Sequence, residues 1–185
     1  METLLPTLFL AAIVLIASFF CIVGGFFIVH GFLADAPFVP SSRRKRRAML
    51  DLADVRAGET VIDAGSGDGS LLITSARRGA RAIGIESNPL LVLYSRIRAS
   101  WSAERHSVTV IRGNLFSHPF HSADVLFLYL FPQTIEKLKE KLEKELKPGC
   151  RVVSNTFPIP GWTPEKEQDG VFLYVKREKS STIHR

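Results

Sequence analysis

Val61-Ile62-Asp63-Ala64-Gly65-Ser66-Gly67-Asp68-Gly69 decides the reading of this chain. A short β-prone run, Thr60 to Asp63, passes into three alternate glycines, and a helical stretch from Leu71 to Arg78 follows, with Gly79 as its stop. Glycine permits positive φ and lets backbone approach a ligand closely, while a helix N-terminus offers unpaired N–H groups. The glycines fall at 65, 67 and 69 and position 70 is Ser, so the dinucleotide pattern G-x-G-x-x-G is not met. The next predicted strand, Ala82 to Glu86, ends in an acid 23 positions beyond Asp63. A carboxylate at that place suits a ribose diol, because it accepts two hydroxyl hydrogen bonds. A glycine turn alone fits any tight turn. With a strand before it and an acid closing the next strand, it points to a bound nucleoside.

Outward from this segment the chain alternates strand and helix signals. Asn88-Pro89 gives a cap and a proline at the first helical position, opening a helix towards Ser100. Val108 to Arg112 and Ala123 to Leu128 are further predicted strands. Thr134 is the expected cap of a helix with Ile135, Leu138, Leu142 and Leu146 on one face, and Lys147-Pro148-Gly149 breaks it. Cys150 to Ser154 is a fifth strand, and Trp162 to Glu167 with Val171 to Lys176 form a hairpin around Gln168-Asp169-Gly170. Such alternation predicts an α/β fold, a mostly parallel sheet covered by helices and closed by an antiparallel hairpin. Ligands of such sheets sit beyond the carboxyl ends of the strands, where strand order reverses.

The 185 residues allow one domain and an appendage, and 46% hydrophobic with 23% charged residues excludes a disordered or collagen-like chain. The net charge of +6 is unevenly spread. Residues 1–35 hold only Glu2 and Asp35, and five cations form one run, Arg43-Arg44-Lys45-Arg46-Arg47. Outside that run the charges are too even for a nucleic-acid binder. Cys21 and Cys150 suggest neither a disulfide framework nor a Cys metal site. His118-Pro119-Phe120-His121 is read as a loop, since zinc needs three or four ligands and no partners are evident. No metal is expected.

From Thr3 to Ala34 there is no Asp, Glu, Lys or Arg, enough for the roughly 20 apolar residues that cross a bilayer core. A buried core helix is the bland alternative. A cleaved signal peptide is the stronger rival, because Ala34-Asp35-Ala36 has a small-x-small pattern. Against it, the leading residues carry no Lys or Arg and the apolar stretch is too long. The expectation is a retained anchor over residues 1–35, touching the bilayer through 4–33. Next come a basic juxtamembrane segment and leading helix over 36–54, a catalytic-type domain over 55–178 and a disordered tail over 179–185. Lys and Arg mark the cytoplasmic flank, so the domain is expected on the cytoplasmic side of a bacterial or archaeal membrane, or at an organellar inner membrane in a eukaryote. Ser41-Ser42 caps the leading helix, and cations in its first turns oppose the helix dipole. Anionic headgroups offset this by about 1 kcal/mol per basic residue. A solvated orientation signal is the competing reading of the run 43–47.

Asp63-Ala64-Gly65-Ser66-Gly67-Asp68-Gly69 with Glu86 resembles the S-adenosylmethionine (SAM) site of class I methyltransferases. Ile85-Glu86-Ser87-Asn88-Pro89, Tyr94-Ser95-Arg96-Ile97-Arg98, Phe127-Leu128-Tyr129-Leu130-Phe131-Pro132, and Ser154-Asn155-Thr156-Phe157-Pro158 with Trp162 narrow the resemblance. They are similar to the membrane-anchored protein-lysine methyltransferases of mitochondria, which modify the c-ring protein of ATP synthase and the adenine nucleotide translocase, and to their prokaryotic relatives. The likeness runs from about Pro37 to Lys176. It implies a Rossmann-like sheet and SAM as cofactor, held by Asp63, Gly65, Ser66, Gly67, Asp68, Gly69, Glu86, Asn114 and Leu115. Gly65 and Gly67 would pass close to its methionine part, and Asp63 would hold its amino group directly or through water. Glu86 would take the ribose hydroxyls. Asn114 stands where many relatives have an Asp that accepts from the adenine amino group; an ordinary turn residue is the alternative there.

A lysine acceptor must be neutral, while its free pKa is about 10.4. A desolvating pocket lowers that value. Tyr129, Pro132, Asn155, Phe157, Pro158 and Trp162, just after the fourth and fifth strands, are the expected pocket. Asn155, Phe157, Trp162 and Tyr129 are the candidate catalytic residues, aromatic faces being able to hold a cationic amine. Plain core or hairpin packing competes for the three aromatics. Asp68 fits either a proton acceptor or a helix cap. The expected partner is a protein with an accessible lysine, in the same membrane. Methylation of a lipid or small amphiphile, and a SAM-binding module without transfer, are the other readings.

Overall fold

The computed structural model describes residues 4–33 and 42–178. Expectations for Ala34-Asp35-Ala36, Ser41 and the tail 179–185 lie outside the described residues. The chain divides into two units, Met1–Val39 and Pro40–Arg185.

In the first unit, α1 (Leu4–Leu33) is one helix of 30 residues, about 45 Å long at 1.5 Å per residue. From Thr7 to Gly25 it is long and apolar enough to cross a membrane. Its large side chains from Leu8 to Ile22 are exposed.

The second unit runs α2 (Arg43–Ala53), β1 (Thr60–Ala64), α3 (Ser70–Ala76), β2 (Arg81–Glu86), α4 (Pro89–Ser100), β3 (Val108–Arg112), β4 (Val125–Leu128), α5 (Pro132–Glu145), β5 (Arg151–Asn155), β6 (Lys166–Gln168) and β7 (Val171–Val175). The seven strands lie in the order β3-β2-β1-β4-β5-β7-β6. The first five are parallel to their neighbours, and β7 runs antiparallel to both β5 and β6. The period of two in the strands sorts side chains to opposite faces. Val61, Val125, Phe127 and Val153 join Met49, Leu50 and Leu71 under α2 and α3. Ile62, Leu126, Leu128 and Val152 join Ile135, Leu138 and Leu142 of α5 on the other face. Val92 brings α4 onto Leu72, Ala82 and Val110.

Local chemistry explains most boundaries. Asn88 caps α4, its side chain accepting from the backbone N–H groups of Leu90 and Leu91. Ser42 caps α2 through Lys45 N–H. The turn between β6 and β7 has Asp169 and Gly170 both at positive φ, 54° and 68°, the two-residue geometry that matches strand twist. Arg151 on β5 donates to the carbonyls of Ala53 and Asp54 and to Glu59, so one guanidinium secures the end of α2. Within the basic run, Arg44 pairs with Asp169 at 2.9 Å and Lys45 donates to the Asp169 carbonyl. Those two cations fasten α2 to the hairpin, not only to what lies outside the protein.

Three boundaries differ from expectation. Thr134 is not the cap of α5, because Pro132 with its fixed φ starts the helix and Phe131 is the N-cap. Thr134 N–H bonds the Phe131 carbonyl inside the first turn. Strand β6 begins at Lys166, not Trp162, since Pro160 and Pro164 cannot donate to a ladder. Strand β5 begins at Arg151, leaving Cys150 just before it.

Leu138 is fully buried, whereas Lys144 on the outer face of α5 makes an exposed pair with Glu140. Leu138→Ala is expected to cost about 2–5 kcal/mol of unfolding free energy. Lys144→Ala is expected to cost about 0.5 kcal/mol or less. Denaturant titration of both variants checks this.

Candidate active site

Strand β1 lies between β2 and β4, where chain order reverses, so its carboxyl end opens onto the crevice of the sheet. The pairings Ala64 with Ile85, Ala64 with Leu128 and Leu128 with Ser154 set the strand ends level. Glu86, Gly65, Tyr129 and Asn155 therefore leave the sheet along one rim.

The turn after β1 needs its glycines. Gly65, Gly67 and Gly69 have φ of 89°, 52° and 69°, a region that costs other residues energy. A Cβ on Gly65 would stand 3.2 Å from Leu130 Cδ2, and one on Gly69 only 2.5 Å from Ser95 Oγ. The N–H groups of Gly65 and Ser66 both donate to the Ile85 carbonyl. Gly67 N–H donates to Glu86 Oε2 at 2.9 Å, and Asn88 N–H to Glu86 Oε1 at 2.8 Å. Each Glu86 oxygen is thus aimed by one backbone donor and keeps a further lone pair for a ligand.

Two carboxylates face this crevice almost without solvent, Asp63 at 6% and Glu86 at 8% exposure. Among the described residues, no Lys or Arg pairs with either. Burial, and then the charges of Glu86 and Asp68, push the Asp63 carboxyl up to about 7. Asp68 goes the other way. Burial raises it, but hydrogen bonds from Ser70 and the Arg98 guanidinium outweigh that and hold it below the usual carboxylate range. Arg98 Nη1 lies 2.5 Å from Asp68 Oδ2, and Ser70 N–H donates to Oδ1 at 3.0 Å. Asp68 therefore caps the entry to α3 and is a poor proton acceptor. Ser66 Oγ and Ser95 Oγ are buried with no hydrogen-bond partner. Unpaired buried carboxylates and hydroxyls are costly. A small ligand with a cationic end and several hydroxyl donors fits this set.

Beyond β4 and β5 the rim turns aromatic. Tyr129 is half-buried, and the rings of Phe131 and Phe157 lie 6.2 Å apart. The Phe157 carbonyl accepts from Ser154 Oγ. Asn155 is 1% exposed, and Thr156 Oγ1 donates to its Oδ1. Thr156 has φ of 72°, a strained value for a β-branched residue and typical of functional turns. Phe131 joins this rim although the sequence does not mark it; an apolar side chain before a helix-starting proline looks like core.

Trp162 is not brought to this rim. Its ring stacks edge-on against Tyr174 at 5.9 Å and lies under Lys176, with its indole N–H towards Glu143. Tyr174 pairs with Val152 and Lys176 with Cys150, near the amino end of β5, so hairpin packing accounts for Trp162. Asn114 forms a turn in which its Oδ1 accepts from Phe116 N–H. Leu115 packs on the core under α5. His121 Nδ1 meets the Glu145 carbonyl at 2.9 Å beside buried Phe120.

A seven-stranded sheet in this order, with an acid-flanked glycine turn on β1 and an acid closing β2, defines a SAM-dependent methyltransferase of the class I fold. The ANTKMT methyltransferase domain family matches residues 63–166. A protein-lysine N-methyltransferase of Saccharolobus islandicus is 39% identical over 78% of this chain and 96% of its own length. The lysine N-methyltransferase of Rattus norvegicus named for the c-ring protein of ATP synthase is 37% identical over 70% of this chain, and the match spans 59% of that protein. A crystal structure of an RNA methyltransferase from Salinibacter ruber, in complex with S-adenosyl-L-homocysteine, superimposes with a TM-score of 0.74 at 36% identity. It covers 76% of this chain and 95% of that one. The chain belongs to the ANTKMT methyltransferase family, and its cofactor is SAM.

The raised Asp63 has a consequence for stability. The folded protein keeps this proton up to about pH 7, whereas an unfolded chain releases it near 4. Between these values the native state binds more protons, so stability falls as pH rises. Asp63→Asn is therefore expected to stabilise the ligand-free protein more at pH 8 than at pH 5 in urea titrations. An equal effect at both pH values contradicts the buried, ionisable Asp63.

Proposed function

We propose that this enzyme is held in a membrane by α1 and methylates a lysine side chain of a protein in the same membrane. The supporting observation is chemical. Every residue that leaves β4 and β5 beside the carboxylates, from Tyr129 to Phe131 and from Asn155 to Pro158, is uncharged, and Phe131 and Phe157 form an aromatic pair there. Such a wall desolvates an ammonium, lowers its pKa and so supplies the neutral amine that transfer needs. The lysine acceptors named for the Saccharolobus and rat relatives point the same way.

When bound, SAM supplies a methyl group on a sulfonium, open to in-line displacement by an amine. The chain's own residues do the positioning. Asp63 receives the ammonium of the methionine part, and Gly65, Ser66, Gly67 and Gly69 let the backbone lie against it. Asp68, fixed by Arg98, shapes the turn. Glu86 accepts from the ribose hydroxyls with the lone pairs left by Gly67 and Asn88. Asn114 and Leu115 border the adenine, and the second lone pair of Asn114 Oδ1 remains for its amino group. Asn155 and Tyr129 orient the acceptor amine, and Phe157 excludes water. The basic run after α1 puts the catalytic unit on the cytoplasmic side, as a single-pass protein. Sharing a membrane with the substrate raises effective concentration.

Membranes incubated with the full chain and methyl-labelled SAM, then separated into protein, lipid and RNA, test this. Label on a protein lysine is expected. Label in lipid alone supports the amphiphile reading, label in RNA follows the Salinibacter neighbour, and no label marks a binding module. Asn155→Ala and Phe157→Ala are expected to lower transfer on the order of 10- to 100-fold while SAM affinity holds. Lost SAM binding in either variant contradicts the division of roles.

A further inference from the structure

The outward face of α4 is apolar. Val92, Ser95 and Ala99 turn to the sheet and are buried. Leu90, Leu93, Tyr94, Ile97 and Trp101, spaced three or four apart, form a stripe on the opposite side and are exposed, Trp101 at 86%. A surface helix normally places polar residues there, and a contiguous exposed apolar strip marks a contact surface.

Beside the stripe runs a groove between α2, α3 and the end of α4, lined by Arg43, Arg46, Arg47, Arg77, Arg78 and Arg98. Trp101 also lines it, so stripe and groove are continuous. Three acids temper the charge: Asp51 meets Arg47 and Arg78, Asp68 meets Arg98, and Glu104 meets Arg77 at 3.7 Å. Six arginines against three acids leave a positive surface. Apolar residues with an exposed Trp and Tyr, bordered by arginines, match the boundary between acyl chains and anionic headgroups. Arg43 follows the membrane-length helix α1 by only ten positions.

We propose that the outward face of α4 and the adjoining arginine groove lie on an anionic bilayer, with Trp101 at the acyl boundary and the arginines on lipid phosphates. This rests on the membrane reading above and adds to it a second, interfacial contact. Because α4 starts three residues after Glu86, the contact fixes the distance and tilt of the cofactor crevice relative to the lipid. The acceptor selected is then a lysine close to the membrane surface.

The full chain, reconstituted in vesicles of phosphatidylglycerol or of phosphatidylcholine with brominated acyl chains, tests this by tryptophan fluorescence. The Trp101 signal is the difference between the wild type and Trp101→Phe. Loss of that emission in phosphatidylglycerol, and less loss in phosphatidylcholine, is expected. Leu93→Ser with Ile97→Ser should restore the emission while S-adenosylhomocysteine binding, measured in parallel, shows that the fold is intact. Unquenched Trp101 in both vesicles, with the protein still floating on them, overturns the proposal and leaves the anchor standing. Equal quenching in both lipids overturns the role of the arginines. Failure of the anchor shows separately, as protein released from phosphatidylcholine vesicles.

Discussion

Two carboxylates at the end of neighbouring strands, buried and without a cation, are the constraint around which this fold is arranged. Asp63 and Glu86 leave β1 and β2 at the centre of the sheet, where a helix cannot cover them. The glycines at 65, 67 and 69 exist in left-handed conformations so that backbone N–H groups can turn towards Glu86 and the Ile85 carbonyl. Side chains at these positions would fill the space and meet Leu130 or Ser95. The burial that raises Asp63 to about 7 is a stability cost tolerated for binding, the trade-off expected at functional sites.

The second half of the site follows from the same topology. Strands β4 and β5 end level with β1, so whatever follows them borders the bound cofactor. Here that is an aromatic and amide rim, with the strained Thr156 turning the chain away from β5. One side of the crevice thus offers anionic oxygen atoms to a cation, and the other offers an apolar wall to an amine. This polarity suits methyl transfer to a base that must lose its proton first.

Where short-range chemistry decides the structure, the sequence is legible. The glycine turn, the Asn88-Pro89 start of α4 and the Asp169-Gly170 hairpin each require residues that few other conformations require. The closing acid at Glu86 is legible for the same reason, being tied to a strand end. Long-range placement is not. Trp162 reads as a rim residue because it follows Phe157 closely, yet Pro160 and Pro164 carry the chain back along the sheet to Tyr174. Phe131 escapes notice because apolarity alone does not tell a pocket wall from core. On α4 the larger side chains face outward, and small Ser95 and Ala99 let the helix sit close to β2 and β3. Hydrophobicity by itself gives no hint of that inversion.

The central claim is that Glu86, aimed by Gly67 and Asn88, grips the adenosine of SAM. Isothermal calorimetry of S-adenosylhomocysteine binding to the wild type, Glu86→Gln and Glu86→Ala measures it most directly. The account predicts affinity falling in that order, by on the order of 10-fold or more for alanine, since a charged acceptor that holds two hydroxyls is worth about 1.5–3 kcal/mol per bond. Unchanged affinity in a folded Glu86→Ala protein would contradict it.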